Sequence, residues 1–66
     1  MTPEQIRKIR QDLSRSQSEF AVEFGIPLKT LQNWEQGCRE PDAAAITLLK
    51  VIEFCPDAVR DTVAEM

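Results

Sequence analysis

Apolar residues recur at helical spacing along most of this chain, and polar punctuation divides them into five short segments. Thr2-Pro3-Glu4-Gln5 opens the first: Thr2 suits an N-cap, Pro3 the first helical position, and Gln5 the return hydrogen bond of a capping box. Ile6, Ile9 and Leu13 then share one helical face, and Arg7, Lys8 and Arg10 give it a basic flank; this helix is predicted to end near Leu13. Ser16-Gln17-Ser18-Glu19 is a second capping box, followed by Phe20, Ala21 and Phe24 as an apolar face. Gly25 ends that helix, and Ile26-Pro27 makes a turn with proline fixing φ for entry into the next.

The third helix is predicted over Leu28 to Gln36, with Leu31 and Trp34 pointing inward. Lys29, Thr30, Gln32, Asn33 and Gln36 are left on its outer side, and Gly37 terminates it. Cys38-Arg39-Glu40-Pro41 is a loop, and Asp42 caps a fourth helix from Ala43 to about Phe54. Ile46, Leu49, Val51 and Ile52 are its candidate core residues. Cys55-Pro56 breaks that helix, and a weaker fifth runs through Val59 and Val63. With no repeat, linker or low-complexity stretch, the expectation is a single all-α domain of five short helices.

Size makes that domain marginal: a chain of 66 residues buries only roughly 60% of the surface its unfolded form exposes. An apolar content of 42% with 29% charged residues is that of a globular chain. No apolar run approaches the roughly 20 residues needed to span a bilayer. The polar, charged amino terminus is unlike a secretory signal, so a cytoplasmic setting is expected. Cys38 and Cys55, 17 positions apart and without histidine, cannot make a structural zinc site, so no metal is expected. Both read as reduced thiols, Cys55 packed within an apolar run and Cys38 in a turn.

The middle of the chain carries the candidate chemistry. Two helices that cross closely need a small residue on the first, a glycine at the turn, and apolar residues beyond it to fix the angle. Ala21, Gly25, Ile26, Leu31 and Trp34 meet those demands. The free face then offers Lys29, Gln32 and Asn33. Asparagine and glutamine can make bidentate hydrogen bonds to adenine, and lysine can donate to guanine O6 and N7.

The ordered set Ser16-Gln17-x-x-Phe20-Ala21-x-x-x-Gly25-Ile26-x-x-x-Thr30-Leu31-x-x-Trp34-Glu35-x-Gly37-x-x-x-Pro41 resembles the Cro/cI-type (XRE) helix-turn-helix family. The likeness covers nearly the whole chain, with the helix-turn-helix at about 17–36. Ile6-Arg7-x-x-Arg10-x-x-Leu13 and Leu48-Leu49-x-Val51-Ile52-x-x-x-Pro56 are most similar to the DNA-binding domains of HigA- and MqsA-type antitoxins. The resemblance implies a five-helix, lambda-repressor-like domain that binds its operator in double-stranded DNA as a homodimer, without a cofactor. By position, Leu28, Lys29, Gln32 and Asn33 would face base edges. Gln17, Thr30, Gln36 and Arg39 would contact phosphate, helped by backbone amides near Gly37. Arg10 and Glu35 would pair across the first and third helices.

Two departures from the family pattern stand out. Pro27 replaces the Ser or Thr that commonly caps the recognition helix, and Glu40 and Asp42 put acid in a loop that is often basic. Both suggest weak affinity per monomer.

Charge qualifies the same reading, because nucleic-acid-binding domains are usually basic and this chain carries a net −3. Residues 1–50 hold seven acids and seven bases, so the excess lies in the last sixteen residues. There Glu53, Asp57, Asp61 and Glu65 recur every four positions and would form one acidic stripe on a continuous helix. Such a stripe is a solvated face, or a surface that stays clear of DNA or meets a basic partner such as a toxin. Two functions from different classes follow: a dimeric repressor bound at the nucleoid, and an antitoxin-type interaction module. Enzymatic activity is not expected, with no histidine and no glycine-rich phosphate loop. Val59 and Val63, with Ala58, are the expected self-association surface.

Overall fold

Side-chain caps decide where the helices of this protein begin. The computed structural model describes residues 1–65, and its helices are α1 (Pro3–Asp12), α2 (Gln17–Phe24), α3 (Leu28–Gln36), α4 (Ala43–Phe54) and α5 (Pro56–Ala64). Thr2 Oγ1 accepts from the Gln5 N–H at 3.2 Å, and Gln5 Oε1 accepts from the Thr2 N–H at 2.8 Å. Ser16 and Glu19 repeat the reciprocal pair at the start of α2, at 3.2 and 3.0 Å. Asp42 Oδ1 takes the Ala45 N–H at 2.8 Å and starts α4. Two helices use proline instead: Pro27 stands at the N-cap of α3 with no side-chain hydrogen bond, and Pro56 opens α5. At the other ends, Gly25 and Gly37 close α2 and α3 with φ of 68° and 78°, a conformation that costs any residue with a Cβ about 1–2 kcal/mol.

One apolar core joins all five helices. Ile6 and Ile9 come from α1, Phe20, Ala21 and Phe24 from α2, Ile26 from the turn, and Leu31 and Trp34 from α3. Leu49 and Ile52 of α4 and Val59 of α5 complete it. The Phe20 and Phe24 rings meet tilted, with centroids 4.8 Å apart. α1 packs on α3 and α4, α2 on α3 and α5, and α4 on α5. The α2–α3 pair is therefore braced by α1 on one side and α5 on the other.

The carboxy-terminal third departs from expectation in four places. Val51 is 41% exposed and Ile46 only half-buried, because α4 turns Ala45, Leu48, Leu49 and Ile52 inward and leaves neighbouring positions out. Cys55 is exposed rather than packed. Val59 is buried and Val63 packs against the core, where its methyls lie 3.5–3.6 Å from the point a Cβ on Gly25 would occupy. Those two valines hold α5 to the α2 turn, so they cannot form a self-association surface; only Ala58 of that set is exposed. Finally, Cys55 (φ −141°, ψ 66°) interrupts the helix, so Glu53 is not in line with Asp57, Asp61 and Glu65. No described helix is long and apolar enough to cross a membrane.

Adjacent residues of α4 provide a sharp check of this packing. Ile52→Ala should cost about 2–5 kcal/mol, the usual range for emptying a packed site. Val51→Ala should stay within about 0.5 kcal/mol, as exposed substitutions do. Urea unfolding of the two variants measures both; equal losses would contradict the orientation of α4.

Candidate nucleic-acid interface

The geometry of the α2–α3 unit follows from a few small or turn-forming residues. Ala21, 3% exposed, is a small buried residue of α2, the helix that packs on both α3 and α5. The Ile26 N–H returns to the Ala21 carbonyl at 2.9 Å, and Ile26 itself is buried, which fixes the turn. The Pro27 carbonyl accepts from the Leu31 N–H at 3.1 Å, and Leu31 and Trp34 then anchor α3 in the core. What remains outside is a continuous polar surface. Leu28, Lys29 and Gln36 are exposed, and Thr30, Gln32 and Asn33 are half-buried on its flanks.

Glu35 is the one acid of α3, and it is buried, with 5% of its surface exposed. Arg10 meets it in a fork, Nε to Oε2 and Nη2 to Oε1, both at 2.8 Å. Gln17 Nε2 adds a third donor to Oε1 at 3.3 Å, and Arg10 Nη1 reaches the Arg15 carbonyl at 3.0 Å. The Glu35 hydrogen bonds raise the Arg10 pKa still further, outweighing the opposing effect of burial. No buried side-chain nitrogen or oxygen among the described residues is left without a partner. The outer face of α3 consequently carries a single charge, the Lys29 ammonium.

The groups expected to meet phosphate differ in their engagement within the fold. The Gln17 carboxamide is engaged with Glu35, so the backbone N–H groups of Gln17 and Ser18, first in α2 and without intrahelical partners, are the donors that remain there. The amides near Gly37 are not free to hold an anion. Gly37 N–H returns to the Trp34 carbonyl at 3.3 Å, and Cys38 and Arg39 N–H return to the Asn33 carbonyl at 3.0 and 3.3 Å. They close α3, and this leaves the exposed Gln36, Arg39 and Glu40 side chains as the polar groups at that end, with Thr30 half-buried in the first turn.

A second charge cluster has no signature in the sequence. Glu23 of α2 receives Arg15 from the α1–α2 loop and, at 3.2 Å, Arg60 from α5; Arg60 also pairs with Asp57. Arg15 foremost holds the Glu23 carboxyl below the usual carboxylate range, against the upward push of burial, and Arg60 adds to the lowering. Arg15 and Arg60 sit 8 and 37 positions from Glu23, spacings that only the fold brings together. Arg7 makes a loose surface pair with Glu4 at 3.6 Å. Among the described residues, Lys8, Lys29, Arg39 and Lys50 have no ion-pair partner.

Comparison with known proteins points the same way. The sequence profile of the helix-turn-helix family matches residues 6–55. Antitoxin HigA-2 of Vibrio cholerae is 36% identical over 59 residues, which cover 89% of this chain and 57% of that protein. Antitoxin MqsA of Escherichia coli is 31% identical over 61 residues, covering 92% of this chain and 47% of that one. The chain thus spans about half the length of these two relatives. A crystal structure of an HTH XRE-family-like protein from Agrobacterium tumefaciens superposes with a TM-score of 0.86 and 40% identity, over 96% of this chain and 98% of that one.

Two expectations attach to the charge clusters. Arg10→Met strands a buried carboxylate and should cost about 3–5 kcal/mol. That is comparable to the whole stability of a domain this size, at about 0.05–0.15 kcal/mol per residue. Arg10→Met with Glu35→Met should cost less than the two single changes combined; strict additivity on thermal unfolding would contradict the pairing. For Glu23 the folded pKa lies below the unfolded one. Its contribution is therefore complete above the unfolded value, about 4.3, and fades as pH falls through the lower folded value. Glu23→Gln should flatten the loss of stability below about pH 4.3. An unchanged acid profile would remove Glu23 from that account.

Proposed function

The chain belongs to the XRE-type helix-turn-helix family, and from that premise we propose that it is a sequence-specific regulator of transcription. It binds double-stranded DNA as a repressor, two copies to a palindromic operator, and its place in the cell is the nucleoid. The observation that carries this reading is the outer face of α3: Lys29, Gln32 and Asn33 outward, and the helix's one carboxylate turned inward and neutralised by Arg10. Had Glu35 faced outward, its charge would oppose the phosphates. With Glu35 removed, Asn33 and Gln32 are suited to adenine edges, Lys29 to guanine, and the apolar Leu28 to a thymine methyl. Thr30, Gln36, Arg39 and the first amides of α2 set the helix on the backbone, supplying position rather than sequence.

Charge argues for two copies. Residues 1–50 carry no net charge, and Arg10, Arg15 and Arg60 are engaged in ion pairs. Few cations are left to neutralise phosphates, whereas specific sites are bound at roughly 10⁻⁸ M or tighter. Two copies on half-sites about one helical turn apart overcome that deficit.

A second activity is compatible with the first. Asp57 and Asp61 lie exposed on α5, away from α3, and the two antitoxins above are relatives. An antitoxin role would use that acidic surface against a basic toxin while α3 holds the operator.

Selection of bound sequences from a random duplex pool, at low and moderate salt, tests the reading directly. A palindromic consensus is expected. Lys29→Ala and Asn33→Ala should each then weaken consensus binding by about 1–3 kcal/mol and relax one base position. Arg39→Ala should weaken binding to all sequences and lower the salt slope by about one. Wild-type affinity and base preference in both α3 variants would overturn the assignment.

A further inference from the structure

α4 carries a second stripe at helical spacing, with Val51 and Phe54 as its apolar residues, and the fold covers only the first. Ala45, Leu48, Leu49 and Ile52 stand at i, i+3, i+4 and i+7 and pack into the core. Thr47, Lys50, Val51 and Phe54 repeat the same spacing two residues later, about 200° around the helix, and face away from it. Phe54 is 77% exposed, more than any other aromatic residue of the chain, and Val51 stands beside it. With Thr47, Lys50 and Cys55 they line a shallow hollow. A surface helix ordinarily sets polar residues opposite its buried face.

We propose that this stripe is the contact between two copies of the chain on DNA, a proposal that rests on the DNA-binding reading above. The argument for a second copy is self-complementary charge. Lys50 and Glu53 border the stripe with opposite signs, and among the described residues neither has an ion-pair partner. When two identical helices cross antiparallel about a two-fold axis, residues whose numbers add to the same total, to within one residue or about 1.5 Å of rise, lie opposite each other. With the axis near Val51, each Val51 meets its counterpart and Phe54 lies over Thr47 of the second copy. Lys50 then reaches Glu53 of the second copy, and the same pair forms twice. A basic protein partner would instead need an acidic surface, which this stripe is not.

The area sets how the contact works. One helix stripe with two large exposed side chains falls well short of the roughly 800 Å² per partner of a stable interface. Free copies therefore remain largely apart. Neighbouring half-sites raise their effective concentration to the order of millimolar, and the contact then forms as cooperativity.

The readout is the ratio of affinity for a duplex with two inverted half-sites to that for a duplex with one, using the half-site recovered by selection. Phe54→Glu should lower that ratio by roughly tenfold or more, while single-half-site affinity and the thermal midpoint stay at wild type. Lys50→Glu and Glu53→Lys should each lower it, and K50E/E53K should restore it, as only a contact between copies allows. An unchanged ratio in Phe54→Glu, or a double variant no better than the single ones, would overturn the proposal. If the chain binds no DNA, the functional reading fails but the surface is still tested by disulfide trapping at high protein concentration. V51C in a C38S/C55S background should form covalent dimers faster than V22C in the same background, since Val22 is exposed on α2 far from this stripe. Equal rates would overturn it.

Discussion

The neutralisation of Glu35 is the constraint on which the rest depends. A carboxylate on the outer face of α3 would repel DNA in the proposed complex, and one turned in alone would destabilise the core. Arg10 resolves both difficulties with one side chain, using its forked donors on both carboxylate oxygens and a third donor on the Arg15 carbonyl. The same contact joins α1 to α3, and Gln17 brings in α2. Orientation of the outer face of α3 and cohesion of the three helices are thus one network. A guanidinium is suited to it because its planar fork matches a carboxylate and stays charged when half-buried.

α5 acts on the opposite side of the same unit. Val63 rests over the Gly25 turn, and Arg60 shares Glu23 with Arg15. A glycine at that turn is needed for its left-handed backbone, with φ of 68°. α5, with the exposed Asp57 and Asp61, is therefore fixed behind the turn by a valine and an arginine. Its own carboxylates, apart from Asp57 on Arg60, face solvent. The exposed Asp57 and Asp61 thus lie on α5, while the outer face of α3 carries the Lys29 charge alone.

Local rules made much of this architecture readable from the sequence. Reciprocal caps at Thr2–Gln5 and Ser16–Glu19 and the glycines at 25 and 37 place helix ends through contacts within a few residues. The bounds of α3 follow from Pro27 and Gly37 in the same way. What the sequence left open depends on long-range choices. Near the end of α4, apolar residues occupy both faces, so periodicity alone could not tell Ile52, which is buried, from Val51, which is not. Val59 and Val63 looked available because nothing local indicates that α5 folds back onto α2. The amides after Asn33 looked free for an anion, but the turn at Gly37 directs them to the carbonyls that end α3. Of the reading face, the order of Lys29, Gln32 and Asn33 was plain, and the engagement of Gln17 was not.

DNA recognition by this protein requires that the outer face of α3 enter the major groove. The direct measurement is NMR of the isotope-labelled protein on a duplex selected from the random pool. The account predicts intermolecular contacts from the Lys29, Gln32 and Asn33 side chains to major-groove base protons, with the signals of α5 little changed. Contacts confined to α4 or α5, with α3 signals unmoved on saturation, would contradict it.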